Sequence, residues 1–380
     1  MAKRFWRIIL SVLLAGAAHA QDLPAEVTGP YVAYTEAMEA RDYSAAMAAA
    51  EEAWRTASDL GVDLETTAIL ADNYAQLAGA LGDHESARDA YRAAAEMLAE
   101  TGAGPDLVAE TWALAASSAL NARDYRDALR CADTAGDIAE NADELDPRTR
   151  AVLAFTSRAI QANAHWFEGH ITRAGARAGE AMEAAESFDL TDNGRFGLTA
   201  FILGATHAMQ KEYPEAAYRL TQAYYFMPDQ RRPLAIWACH ARGYLDESER
   251  EALLARLERE GLLEEREALV DEEADEFADG GEGADDGVVR VDAAPVRRTP
   301  PSYPRDAARA GYEGVALLQF AVDEQGRPTD IEVVFSLPFR EFGEEAREAV
   351  ERWRYTPATE DGVPRRRDGV VTQVEFVLED

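Results

Sequence analysis

A short phrase recurs along the first part of this 380-residue chain, and it constrains the fold more than any other feature. Its copies are Asp42-Tyr43-Ser44-Ala45-Ala46, Asp83-His84-Glu85-Ser86-Ala87, Asp124-Tyr125-Arg126-Asp127-Ala128 and Glu212-Tyr213-Pro214-Glu215-Ala216. A looser copy runs from Gly169 to Ala174, with the alanine one place late. The ring positions 43, 84, 125, 170 and 213 stand 41, 41, 45 and 43 residues apart. Between them the chain is rich in alanine, poor in proline, and apolar at helical spacing. The phrase suits a helical hairpin: a tight turn after helix A, a ring in the corner, and a small alanine that lets helix B approach closely. One hairpin leaves an apolar face open, so hairpins must stack to bury a continuous core.

This pattern resembles the tetratricopeptide repeat (TPR), over about residues 31–228. The second unit carries the resemblance best, with Leu70, Tyr74, Leu77, Ala78, Asp83, Ala87, Tyr91 and Ala94 at suitable spacings. The period exceeds the standard 34 residues, so the helices or the loops must be longer. Pro228 and Pro233 interrupt the pattern, and Arg231–His240 and Glu247–Glu265 follow as a capping pair. The repeat domain is expected to span 21–265 and to offer a groove to a peptide or protein that the sequence does not identify.

Three side-chain sets within the array invite functional readings. Trp54, Trp112, Trp166 and Trp237 are expected to be core rather than a ligand platform. His165 and His170 lie five residues apart, whereas metal ligation from one helix face needs i and i+4, so no metal site is expected. Cys131 and Cys239 fall in different repeats; export permits a disulfide, but small buried thiols are the expectation.

The N-terminus predicts export. Lys3, Arg4 and Arg7 precede an 11-residue apolar run, Ile8 to Ala18, and Ala18-His19-Ala20 supplies a cleavage site before Gln21. Crossing a bilayer takes about 20 apolar residues, so 1–20 reads as a cleaved signal peptide, with no membrane span in the mature chain. The formal net charge of -33 lacks the basic footprint of nucleic-acid binding.

An acidic linker is expected over 266–294. Between Glu264 and Asp286 stand twelve acids and one base, Arg266, and beyond Phe277 the glycines Gly280, Gly281, Gly283 and Gly287 are interspersed. That composition reads as a self-repelling tether. Gly280-Gly281-Glu282-Gly283-Ala284-Asp285 matches the opening of a calcium-binding nonapeptide, but such repeats work only in stacked arrays and this one occurs once.

Residues 295–380 read as a small α+β domain. Pro301-Ser302-Tyr303-Pro304 precedes a short helix, Arg305 to Ala310, closed by Gly311. A strand, Val315 to Val322, puts Ala316, Leu318, Phe320 and Val322 on one face. Asp323 to Pro328 is a hairpin turn with Gly326 at positive φ. The return strand is expected to put Ile331, Val333 and Phe335 inward and Glu332 and Ser336 outward. A helix, Glu341 to Arg354, presents Phe342, Ala346, Ala349, Val350 and Trp353 on one face. A last strand runs from Val370 to Leu378.

This string is similar to the C-terminal domain of TonB-family proteins. The matching residues are Tyr303-Pro304, Ala307 to Gly314, Asp323, Gly326, Ser336-Leu337-Pro338, Ala346, Ala349, Trp353, Tyr355-Thr356-Pro357-Ala358, Gly362 and Phe376. The fold class is therefore expected to be multidomain: an all-α TPR-like solenoid, then a three-stranded antiparallel sheet with two helices. The resemblance implies a Gram-negative periplasm and protein partners, including a plug-domain peptide of a TonB-dependent outer-membrane transporter added as a strand. The implied docking residues are Tyr303, Pro304 and the edge Thr372, Gln373, Val374, Glu375, Phe376, Val377 and Leu378. Arg365-Arg366-Arg367 either steers an acidic partner or is a solvated turn. The alternative is an energy transducer anchored in the inner membrane by residues 1–20. A true transducer keeps an N-terminal membrane helix and a long Pro-rich spacer, and this chain has neither pattern. No cofactor is implied, and no nucleophile motif, metal cluster or phosphate loop suggests an enzyme.

Overall fold

The structure is a computed structural model that describes residues 23–191, 194–262, 290–337 and 339–378. The signal-peptide reading and the nonapeptide match lie outside the described residues, as does the linker from 266 to 289. Two compact units emerge: one holds the described residues up to Ala164 with Glu183–Asp189, the other His165–Met182 with residues 190 onward.

In the first unit, helices α1 (Ala25–Ala40), α2 (Tyr43–Leu60), α3 (Leu64–Ala80), α4 (His84–Thr101), α5 (Pro105–Asn121) and α6 (Tyr125–Asn141) pack each against the next. Most of α7 (Pro147–Phe167) also belongs here. Turns of two or three residues join the partners of each hairpin, so the long period comes from long helices. Two helices of 17 and 18 residues already exceed a 34-residue repeat.

The recurring phrase has a physical basis at each residue. The aspartate caps helix B: the side chains of Asp42, Asp83 and Asp124 accept from the backbone N–H of Ala45, Ser86 and Asp127. The ring residue is the first of helix B and only partly covered; Tyr43 is exposed. The alanine three places on, Ala46, Ala87 or Ala128, is fully buried against helix A. The core of this unit is accordingly alanine-rich, with Tyr31, Tyr34, Tyr74 and Tyr91 filling the wider gaps. Trp54 stacks on Tyr74 at 5.6 Å between ring centres. Cys131 is a buried free thiol, pushed up to about 12 chiefly by burial. Asp127 ties neighbouring hairpins together: it is buried, and Arg88 (3.5 Å) and Arg92 (3.4 Å) on α4 converge on it with Arg130 (2.5 Å).

The second unit contains the corner of α7 with α8 (Ile171–Phe188), then α9 (Phe196–Met209), α10 (Tyr213–Phe226), a short 3-10 turn at Pro228–Gln230, α11 (Arg231–Arg242) and α12 (Glu247–Arg259). Asp246 and Glu249 form a reciprocal capping box at the start of α12. Glu215 of α10 binds Arg219 at 2.7 Å and Arg256 of α12 at 2.8 Å, and the Tyr218 hydroxyl donates to Glu260 at 2.7 Å. These contacts lock α12 onto α10. In the loosely matching phrase the register is restored: α8 starts at Ile171, not His170, and Ala174 falls three places on, fully buried like its counterparts.

The same unit holds the C-terminal domain. Strand β1 (Arg290–Val291) lies within the stretch that the sequence reads as linker and β2 (Ala294–Arg297) begins at its last residue; they pair with β6 (Ala358–Glu360) and β5 (Arg354–Thr356). Helix α13 (Arg305–Ala310) closes on Gly311 at φ +73°. Strands β3 (Gly314–Val322), β4 (Pro328–Leu337) and β8 (Arg367–Phe376) form an antiparallel sheet in the order β4-β3-β8. Helix α14 (Arg340–Glu351) packs on β3 and β4, and β7 (Val363–Arg365) pairs with β6. At the β3–β4 turn Asp323 accepts from the backbone of Gln325 and Arg327 and from the Arg327 guanidinium. Gly326 takes φ +74°, and a Cβ there would stand 1.9 Å from the Tyr355 carbonyl oxygen. Only glycine satisfies both demands.

Two expected orientations on β4 are reversed. Opposite β3 the register runs Leu317↔Phe335, then Leu318↔Val333, so Val334 is an extra residue, a bulge. The bulge shifts the alternation by one. Ile331 and Val333 pack on the α14 side as expected, but Phe335 turns to the other face. Ser336 turns inward, where its hydroxyl donates to the Phe339 carbonyl and accepts from the Gly343 N–H.

Candidate partner-binding edge

The sheet has one ordinary face and one unexpected one. On the ordinary face Ala316, Leu318, Phe320, Val322, Val374 and Phe376 pack with Phe342, Ala346 and Val350 of α14, Trp353 and Tyr355. Trp353 lies beyond the end of α14, and its indole N–H donates to the Thr299 carbonyl at 2.8 Å. On the opposite face Val315 and Leu317 are also fully buried. Phe335 stacks on Phe201 of α9 at 5.6 Å and meets Trp237 of α11 at 5.6 Å. Trp237, core as expected, donates its indole N–H to Gln373 Oε1 at 2.8 Å. Gln373 Nε2 in turn donates to the Ala208 carbonyl at 3.1 Å. The end of the helical array thus covers the second face of the sheet.

Sequence reasoning missed this cover, although β3 carries its signal. Val315, Ala316, Leu317, Leu318, Phe320, Ala321 and Val322 make a nearly unbroken apolar run, as a strand buried on both faces requires.

A second contact fixes the other end of β3. Gly169, at φ +78° between α7 and α8, accepts from the Glu313 N–H at 2.9 Å. A Cβ on Gly169 would stand 2.8 Å from Tyr312, so the tyrosine seats directly on the turn. Thr172 donates to the Glu313 carboxylate at 3.0 Å.

The residues expected to bind a partner divide into several groups. Tyr303 is a structural clamp: its hydroxyl donates to the carbonyls of Tyr312 (2.7 Å) and Phe376 (3.3 Å), and burial pushes it up to about 12. Pro304 is buried at the N-cap of α13. Thr372, Val374 and Phe376 are buried on the α14 side. Gln373 and Glu375 face the array; Glu375 sits near Lys211, and burial pushes its carboxyl above the usual range. Val377 and Leu378 are exposed just past the end of β8, which closes at Phe376 rather than at Leu378. What remains open is the backbone edge of β8: it pairs with β3 on one side, and no strand pairs with its other side among the described residues.

The arginine triplet beside that edge is already neutralised. Arg365 pairs with Glu360, Arg366 with Asp330 and Asp368, and Arg367 with Asp292. Arg365 ends β7 and Arg367 opens β8, so the triplet is a charge-paired link between two strands.

Residues 299–378 match the family model described as Gram-negative bacterial TonB protein C-terminal. Protein TonB of Pseudomonas aeruginosa is 41% identical over 71 residues, 19% of this chain and 21% of that protein. The chain therefore spans about a fifth of the length of this curated relative. The solution NMR structure of the Pseudomonas aeruginosa TonB C-terminal domain is similar at 36% identity, covering 23% of this chain and 89% of that chain at a TM-score of 0.20. The yeast Sti1 TPR2AB domain, solved as a pHSP90 complex, is similar at 15% identity, covering 66% and 93% at a TM-score of 0.23. The sheet order, the Asp323–Gly326 turn and the Tyr303 clamp give these matched residues their structural roles, and residues 299–378 are a TonB-type C-terminal domain that follows an all-α array of helical hairpins in the chain.

Proposed function

We propose that this chain is a non-enzymatic periplasmic interaction protein whose C-terminal domain takes an extended partner segment onto the free edge of β8. The partner in this reading is a peptide of a TonB-dependent outer-membrane transporter, and the helical hairpins offer a second protein-binding surface. One observation carries the proposal: both faces of the sheet are covered, which leaves its two edge strands, and β8 pairs with β3 without interruption from Val370 to Phe376 whereas β4 is broken by two register shifts, so β8 offers the regular edge. An unpaired strand edge supplies a row of N–H and C=O groups to an incoming strand. Specificity would then come from the rim of the edge, including exposed Val377 and Leu378.

The test is a titration of the full chain with a synthetic plug-segment peptide and with the same peptide N-methylated at alternate backbone positions. Strand addition requires binding of the first and loss of binding of the second, because only main-chain donors have changed. Equal binding of both peptides sinks the proposal. The export reading is tested separately by the intact mass of the natively produced protein. A species beginning at Gln21 supports a released periplasmic protein, and a membrane-bound species retaining residues 1–20 supports the anchored transducer instead.

A further inference from the structure

The corner between α7 and α8 carries an arrangement that linear spacing conceals. Helix α7 ends at Phe167, and Gly169 takes the left-handed conformation. The His170 N–H then donates back to the His165 carbonyl at 2.9 Å. That bond is the long one of a Schellman motif, whose geometry brings the side chains at its two ends together. Two histidines five residues apart would diverge on a continuous helix, but here they converge. Hairpin five repeats the geometry: the Glu212 N–H donates to the His207 carbonyl at 2.9 Å, and the two side chains meet at 2.6 Å. In the first three hairpins the corresponding ends are Ala37 with Asp42, Ala78 with Asp83 and Ala119 with Asp124, which bring no such pair together.

At the α7–α8 corner Glu168 completes a set of three. Its carboxylate lies 3.6 Å from His165 Nδ1 and 3.5 Å from His170 Nδ1, and the three ligand atoms lie within 4.8 Å of one another. Both Nδ1 atoms are buried from solvent, and neither makes a hydrogen bond. Tetrahedral ligands about 2.05 Å from a zinc ion stand about 3.3 Å apart, so two of the three separations already approach that value. Of the nearby cations on α8, Arg177 is paired with Glu180 at 2.8 Å.

We propose that His165, Glu168 and His170 form a site for a divalent first-row transition ion, with zinc as its best probe. Two imidazole nitrogens and one carboxylate oxygen suit such ions better than magnesium or calcium, which prefer all-oxygen shells. The three side chains leave a further coordination position to water. The site lies beside the turn on which Tyr312 and Glu313 seat, so the bound ion braces the support of the C-terminal domain.

The test is a titration of the untagged, metal-stripped full chain with zinc sulfate. Excess magnesium occupies the many surface carboxylates. The same titration is run on His170→Asn, which keeps a good helix-capping side chain, and on Glu168→Gln. Circular dichroism confirms that each variant is folded. The expected result is one equivalent bound by the parent, with affinity reduced about tenfold or more in each variant. Cobalt substitution provides a second readout: the visible bands of a nitrogen-ligated ion in the parent, absent from His165→Ala. Absence of stoichiometric zinc binding by the parent overturns the site, as does binding that none of the three substitutions weakens.

Discussion

The indole of Trp237 and the amide of Gln373, 136 residues apart in the chain, meet at 2.8 Å where the helical array closes over the C-terminal sheet. Both belong to one compact unit, so the TonB-type domain is docked by its sheet face onto the last hairpins. Replacing Gln373 by Leu removes the acceptor of a buried indole N–H and the donor to Ala208. An unsatisfied buried donor costs about 1–3 kcal/mol. The expected loss of stability in urea unfolding lies in that range, and Trp237→Phe/Gln373→Leu should lose less than the two single losses summed. Strict additivity would show that the hydrogen bond adds nothing.

Asp127 holds hairpin two to hairpin three through Arg88 and Arg92. Asp127→Ala leaves cations converging on an empty, largely buried position. Arg88 keeps Asp89 and Asp124 as partners and Arg92 and Arg130 reach solvent, so the cost is that of lost charge-assisted hydrogen bonds, about 1.5–3 kcal/mol. Chemical unfolding of the full chain should show a loss of that order, and a loss below 1 kcal/mol, the range of a surface pair, would contradict the account.

Each hairpin corner needs one residue in the left-handed region. Gly82 (+88°) and Gly169 (+78°) supply it at two corners, whereas Arg41 (+59°), Arg123 (+62°) and Lys211 (+64°) are side chains placed there against their preference. Arg123→Gly should therefore stabilise the chain by up to about 1 kcal/mol. Gly82→Ala should destabilise it by a similar amount. Melting temperatures of the two variants moving in the same direction would refute this.

His240 on α11 is pushed down to about 4 by burial and by the nearby Arg298. Its folded pKa lies below its ordinary value of 6.5, so the unfolded chain binds more protons between those limits. The associated stability is complete above pH 6.5 and is lost progressively as pH falls from 6.5 to about 4. His240→Gln should flatten the stability curve across that window. An unchanged slope would show that the ring is not held neutral by the fold.

Much of this architecture was legible in the amino-acid sequence, because local physics dictated it. The capping aspartates, the buried Ala46, Ala87 and Ala128, and Gly326 in its turn all follow from short-range requirements. The misread positions depend on events that periodicity does not encode. One bulge at Val334 reversed Phe335 and Ser336. The burial of both sheet faces was written in the apolar run of β3, but its covering partner, the Trp237 face of α11, was not. The convergence of His165 and His170 depends on Gly169 ending the helix between them; His-x-x-x-Gly-His is the signal that reveals it. The open edge of β8 is a property of strand order, and the domain resemblance pointed to it before any side chain did.

The central claim is that recognition occurs on the β8 edge, and hydrogen–deuterium exchange of the full chain tests it most directly. With saturating plug-segment peptide, the amides of Arg367–Phe376 should gain protection while those of α1–α6 remain unchanged. Unchanged exchange in β8, or protection confined to the helical hairpins, would contradict the account.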